Sequence, residues 1–141
     1  MSEASALAER NKAVVVRFNK RVIEALDAIA FAEIMHPDFV NAAAAPGQSS
    51  GADGMWQTFE HVLHLAFHDL AVDIEDQIAE GDKVVTRKTI RGTHTGPLMG
   101  IPATGRAVAI SVIDIVRLED GLYREHWGLN TLSALLTQLR G

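Results

Sequence analysis

The segment Ser111–Asn130 constrains the fold most, because it predicts two antiparallel strands joined by a tight turn. Side chains alternate faces along a strand, so the even-numbered residues of the first strand share one side. That row is aliphatic except for Asp114. A carboxylate in apolar surroundings takes a partner or a raised pKa. We predict that Asp114 lines a pocket and that the pKa of its carboxyl group is raised. The hairpin offers His126, in the even-numbered row of the second strand, as a partner for Asp114.

The length of the turn decides whether Asp114 and His126 meet. A three-residue loop, Glu119 to Gly121, with Gly121 in the left-handed region, sets Asp114 directly opposite His126. A two-residue loop sets Asp114 opposite Trp127 instead. We predict the three-residue loop, although a slip of one residue would move the row to the other face of the sheet.

The rest of the chain predicts helices first, then antiparallel strands, then a short helix. The helices are expected over Ser5–Leu26, Asp27–Met35, Ala52–His68 and Thr131–Leu139, and the strands over Leu70–Ala79, Lys83–His94, Arg106–Leu118 and Leu122–Asn130. This order is typical of an α+β fold with helices packed on one side of a curved sheet.

Composition narrows the class of protein. The 141 residues suit one domain, residues 1–141, and 48% hydrophobic with 22% charged residues is ordinary for a globular protein. A net charge of −5 argues against nucleic-acid binding. There is no cysteine for a disulfide or thiolate site, and no apolar run approaches the roughly 20 residues of a membrane span. We expect a cytoplasmic protein.

The strand Arg106–Leu118 is also apolar on its second face. Its odd-numbered row carries Ala107, Ala109, Ile113 and Ile115. Helices can pack on one face of the sheet, so the second apolar face needs something else to pack against it. We predict a homodimer with the sheet at the interface.

Two further groups of side chains carry weaker signals. His61, His64 and His68 fall on one face of the third helix, which we interpret as a solvated face and not as a metal site. Lys88 shares an even-numbered row with Val84, Thr86 and Ile90. Two positions are open for it, one in which it reaches inward and an exposed edge position, which we favour.

Four pieces of the sequence carry a family resemblance: NKAVVVRFNKRV, HPDFVN, IEDQIAEGDKVVTRKTIRGTHTGPLMGIPATGRAV and SVIDIVRLEDGLYREHWGLN. Together they resemble the SnoaL-like polyketide cyclase family, within the nuclear transport factor 2-like superfamily, over nearly the whole chain. The resemblance implies a cone-shaped, mostly antiparallel curved sheet closed by N-terminal helices around a pocket. It also implies a dimer and cofactor-free aldol ring closure by an aspartate base.

The chain departs from the family pattern at two positions. The family carries a histidine where Asp114 stands, and its catalytic aspartate follows EHW, where this chain has Gly128. Glycine supplies no base, so we predict a poor catalyst of the family's own ring closure.

The remaining polar residues predict a pocket for a hydrophobic carbonyl compound, used by a cofactor-free cyclase, isomerase or lyase-type enzyme. Asp114 would act as general base, with His126 sharing or relaying the proton. The expected substrate contacts are Phe18, Asn41, Gly128 and Asn130, the two asparagines donating to a carbonyl or enolate. The alternative is a non-catalytic protein that binds a hydrophobic small molecule.

Overall fold

A computed structural model describes residues 2–141. Helix α1 (Glu3–Arg17) continues in π-helical turns (Phe18–Glu24), and α2 spans Ala28–Ile34. Helix α3 (Ala52–Gln57) also continues in π-helical turns (Thr58–Leu63) and ends at His64–Ala66, and α4 spans Leu132–Arg140. The strands are β1 (Met35–Asn41), β2 (Ala71–Glu80), β3 (Lys83–Thr93), β4 (Ala107–Glu119) and β5 (Leu122–Asn130). No helix in this range is long and apolar enough to cross a membrane.

The sheet is mixed, curved and open, and it confirms the predicted α+β class. Its strand order is β1-β5-β4-β3-β2, with every pair antiparallel except β1 and β5. Strand β1 was not predicted from the sequence, because its pairing with β5 joins residues far apart in the chain. That pairing sets Asn41 beside His126.

The core lies between the inner face of the sheet and helices α1 and α3. Side chains with 7% exposure or less interdigitate there, among them Val15, Phe18, Val22, Phe59, Leu63, Val84, Ile110 and Val116. Asp27 caps α2 as predicted, its side chain accepting hydrogen bonds from the backbone N–H groups of Ile29 and Ala30.

The hairpin between β4 and β5 differs from the prediction in its turn. Glu119 pairs with Leu122 across a two-residue turn, with Asp120 and Gly121 both at positive φ (53° and 76°). A bulge then follows, since Leu118 pairs with Tyr123 but Arg117 pairs with Glu125, which leaves Arg124 as the extra residue.

The bulge moves the register by one residue. Asp114 therefore pairs with Gly128, and His126 pairs with Val116, so the predicted direct opposition of Asp114 and His126 was wrong. The prediction that the two share a face holds, with His126 as a diagonal neighbour. The bulge also turns the odd-numbered Tyr123 inward, where it is 2% exposed.

Candidate functional site

A cavity of about 460 Å³ lies between the inner face of the sheet and the π-helical parts of α1 and α3. Its wall is mainly apolar, and most of its polar groups come from the strands, with Gln48 and Thr58 on the opposite side. The polar residues of the lining are Asn41, Gln48, Thr58, Lys88, Asp114, His126 and Asn130. A mainly apolar cavity with a few converging polar groups is the usual form of a small-molecule site.

Asp114 forms a buried ion pair with Lys88. The distance from Lys88 Nζ to Asp114 Oδ2 is 3.0 Å, and the side chains are only 4% and 6% exposed. The same Nζ donates to Asn19 Oδ1 at 2.6 Å, and Asn19 Nδ2 donates to the carbonyl of Val15 at 2.8 Å. Asn19 stands at the start of the π-helical turns, and its amide links Lys88 to the helix backbone.

The prediction for Lys88 was wrong. Strand β3 is flanked by β2 and β4, so Lys88 does not stand at an edge of the sheet. Its even-numbered row points inward with Val84, Thr86 and Ile90, and the charge is accommodated by Asp114 and Asn19. The sequence did carry a signal for this pair, because the even-numbered rows of β3 and β4 each contain one charged residue, Lys88 and Asp114, among mostly apolar ones.

His126 is held by Asn41 on one side and faces Asp114 on the other. Asn41 Oδ1 accepts the backbone N–H of Ala43 at 3.0 Å and lies 2.8 Å from His126 Nδ1. An oxygen can only accept, so Nδ1 carries the proton in the neutral ring. The other nitrogen, Nε2, lies 3.6 Å from Asp114 Oδ2, beyond hydrogen-bond distance but within ion-pair range.

The pKa of Asp114 is lowered, which contradicts the sequence-based prediction of a raised pKa. Burial, the strongest single influence, raises the pKa of Asp114, but the Lys88 ammonium and the His126 ring together outweigh it. The error came from treating the aliphatic row as the whole environment. Asp114 Oδ1 is buried and has no hydrogen-bond partner among the described residues.

Tyr123 is a buried residue of the cavity lining. Its ring stacks on Phe18 with centroids 4.2 Å apart and an interplanar angle of 23°. Burial and the negative charge of Asp114 raise the pKa of the Tyr123 hydroxyl well above its ordinary value, so the phenol stays protonated.

Five of the six predicted site residues line the cavity: Phe18, Asn41, Asp114, His126 and Asn130. Gly128 is the exception, and its backbone instead lines a groove on the outer face of the sheet. A Cβ on Gly128 would lie 3.2 Å from His126 Cε1 and 3.3 Å from Asp114 Cβ. The His126 ring thus lies directly against the space where a side chain at position 128 would begin.

The histidines of α3 do not form a metal site. His61 contacts Glu60, and His64 Nε2 lies 2.6 Å from the carbonyl oxygen of Ile23. Within residues 2–141, no group of three or more histidine or acidic side chains is arranged to hold a metal ion.

Comparison with known proteins places this geometry in a family. A sequence model of the SnoaL-like polyketide cyclase family matches residues 13–139. The chain belongs to the SnoaL-like polyketide cyclase family. No curated protein matches this SnoaL-like chain.

Solved structures agree with the assignment. TsrD from Streptomyces laurentii is 30% identical with a TM-score of 0.80, covering 93% of this chain and 95% of TsrD. A candidate SnoaL-like polyketide cyclase from Jannaschia sp. CCS1 is 26% identical with a TM-score of 0.83, covering 99% and 97%. AclR from Streptomyces galilaeus, a candidate hydroxylase, is 29% identical with a TM-score of 0.82, covering 94% and 82%. This SnoaL-like chain therefore has the nuclear transport factor 2-like fold of SnoaL-like cyclase structures.

Proposed function

We propose that the chain binds a hydrophobic carbonyl compound in this cavity and catalyses cofactor-free proton transfer on it, as a cyclase, isomerase or lyase-type enzyme. The observation that carries the proposal is the Asp114 carboxylate, which lies in a mainly apolar cavity with one buried oxygen, Oδ1, that no described residue engages. Solved structures of similar fold include a candidate cyclase and a candidate hydroxylase, so the fold alone does not decide the reaction.

Asp114 is assigned the role of general base. Its lowered pKa keeps the carboxylate ionised at neutral pH, and Lys88 occupies only Oδ2. A carboxylate of low pKa is a weak base, so the reaction fits a carbon acid that a neighbouring carbonyl already activates.

The polar residues around Asp114 are assigned to the substrate oxygen. Asn41 holds the proton of the neutral His126 ring on Nδ1, which leaves Nε2, on the Asp114 side of the ring, to accept a proton from the substrate. Asn130 Oδ1 accepts the backbone N–H of Leu132 at 3.0 Å, which leaves the Asn130 amide N–H groups to donate to a carbonyl or enolate.

Solvent deuterium exchange tests this proposal without knowledge of the natural substrate. The probe is 2-tetralone, a bicyclic ketone with exchangeable α-hydrogens, followed by mass spectrometry in D₂O. The wild-type protein should accelerate exchange above buffer, and Asp114→Asn should lower the rate about 10²–10⁴-fold, the usual contribution of a general base. Asp76→Asn, at an exposed carboxylate on β2, is the matched control and should exchange like the wild type.

The second candidate function is binding without catalysis. The enclosed Lys88–Asp114 pair, tied to Asn19, is the observation that favours it, because such pairs also occur as purely structural features. Binding of 2-tetralone with exchange no faster than in buffer, unchanged in Asp114→Asn, would establish this function and refute the enzymatic one.

We also propose that the protein is a homodimer formed through the outer face of the sheet. Large apolar side chains are exposed there: Ile78 by 69%, Ile113 by 53% and Leu129 by 83%. They lie on strands whose inner faces are already covered by helices, so a second copy is the cover that this face lacks. Sedimentation equilibrium should give twice the 15.3 kDa chain mass, and a 15.3 kDa species alone at micromolar concentration would contradict the proposal.

A further inference from the structure

The buried ion pair has one N–H donor and one carboxylate oxygen that form no hydrogen bond with the described residues. An ammonium group carries three N–H donors, and Lys88 uses two of them within residues 2–141, toward Asp114 and Asn19. Asp114 Oδ1 is a buried acceptor without a partner among the same residues. Both side chains line the cavity. One donor of Lys88 and one acceptor of Asp114 are therefore left without a partner in two residues that line the same cavity.

Charge decides which ligand group suits this pair. Lys88 and Asp114 balance each other, and an anion placed beside Oδ1 would meet the carboxylate at close range in a site of low exposure. A neutral hydroxyl avoids that repulsion, because its proton is donated to Oδ1 while its oxygen accepts the third N–H of Lys88. A ketone or an ether can satisfy Lys88 alone and leaves Oδ1 without a donor.

We propose that Lys88 and Asp114 together bind an acidic hydroxyl group, a phenol or an enol, of the hydrophobic ligand. This inference rests on the proposed function of the cavity as a small-molecule site. The hydroxyl stays protonated in this arrangement, because a carboxylate whose pKa lies below its ordinary value is too weak a base to take the proton of a phenol. Lys88 donates to the hydroxyl oxygen, and its positive charge makes that hydroxyl a stronger donor toward Oδ1.

Two probes that differ by one methyl group test the proposal. Binding of 2-naphthol and of its methyl ether, 2-methoxynaphthalene, is measured by isothermal titration calorimetry with the full-length protein. The wild type should bind the naphthol about ten- to a hundredfold more tightly, the range expected for a hydrogen bond to a charged group. Lys83→Met, at an exposed lysine of the same strand, should keep that preference.

Two variants locate the preference. Asp114→Asn should bind the two probes with nearly equal affinity, because it removes the charged acceptor of the hydroxyl proton, and unchanged affinity for the ether shows that its cavity is intact. Lys88→Met should weaken the binding of both probes and keep the preference for the naphthol, because either oxygen accepts the N–H of Lys88. If Lys88→Met does not fold, Asp114→Asn decides alone.

The outcomes separate this inference from the proposed function. Equal binding of both probes by the wild type would overturn the hydroxyl site and leave the hydrophobic cavity supported. Binding of neither probe would overturn both proposals. A preference for the naphthol that survives undiminished in Asp114→Asn would also refute the assignment to Lys88 and Asp114.

Discussion

Replacing Lys88 with methionine should destabilise the fold by about 3–5 kcal/mol, the usual cost of removing one partner of a buried ion pair. The side chains of Lys88 and Asp114 are only 4% and 6% exposed, so the carboxylate left behind would be largely desolvated and without its charged partner. His126 Nε2, 3.6 Å from Oδ2, is too distant to hydrogen-bond the carboxylate that remains. A loss of this size is a large fraction of the 5–15 kcal/mol by which domains are usually stable.

The assay is urea unfolding followed by circular dichroism at neutral pH, with Lys83→Met as the matched control. Lys83 is exposed and lies 3.6 Å from Asp82, so its removal should hardly change the free energy of unfolding. The double variant Lys88→Met with Asp114→Leu should recover most of the loss, because it removes the buried charge together with its partner.

The pH dependence of the same difference gives a second, independent check. The folded-state pKa of Asp114 lies below its ordinary value of 3.8, so its stabilising effect is present above that pH and is lost as the pH falls through the folded pKa. Removing the ammonium moves the folded pKa upward, so the variant and the wild type should converge in stability as the pH falls toward and below 3.8. A loss no larger than that of Lys83→Met, unchanged with pH, would refute the account of a desolvated pair.

Three further changes have defined outcomes. Asn41→Leu should remove the hydrogen bond that keeps the His126 proton on Nδ1, and long-range ¹H–¹⁵N NMR should detect the loss of that tautomer. An unchanged spectrum would contradict the assigned hydrogen bond. Gly128→Ala should displace the His126 ring and cost about 1–3 kcal/mol, as overpacking does, and a thermal unfolding midpoint at or above that of the wild type would show that the ring has room to move. Leu129→Lys should convert the proposed dimer to the 15.3 kDa monomer in sedimentation equilibrium, whereas a dimer that persists would move the interface elsewhere.

The features that the sequence predicted well depend on neighbours in the chain. The Asp27 cap needs only the next few residues, and the inward row of β4 follows from strand alternation. Phe18 and Asn41, which were predicted as substrate contacts, line the cavity, and their contact with a substrate stays a prediction.

The features that the sequence did not predict depend on pairing between distant segments. The bulge at Arg124 adds one residue to β5 after the two-residue turn, and no pattern among the neighbouring residues predicts it. Lys88 and Asp114 are separated by 26 positions, and their contact requires the register of β3 against β4. Without that register, the aliphatic row around Asp114 implied desolvation alone, and the direction of its pKa was predicted wrongly.

The most direct test of the central claim is the pKa of Asp114 itself. The protein labelled with ¹³C at the aspartate carboxyl groups is titrated by NMR, and the Asp114 resonance is assigned by its loss in Asp114→Asn. The Lys88 ammonium favours the ionised form of the Asp114 carboxyl group, so we expect it to titrate below its ordinary pKa of 3.8. Titration above that value would show a carboxyl group governed by burial alone, and it would contradict the ion pair on which the proposed chemistry depends.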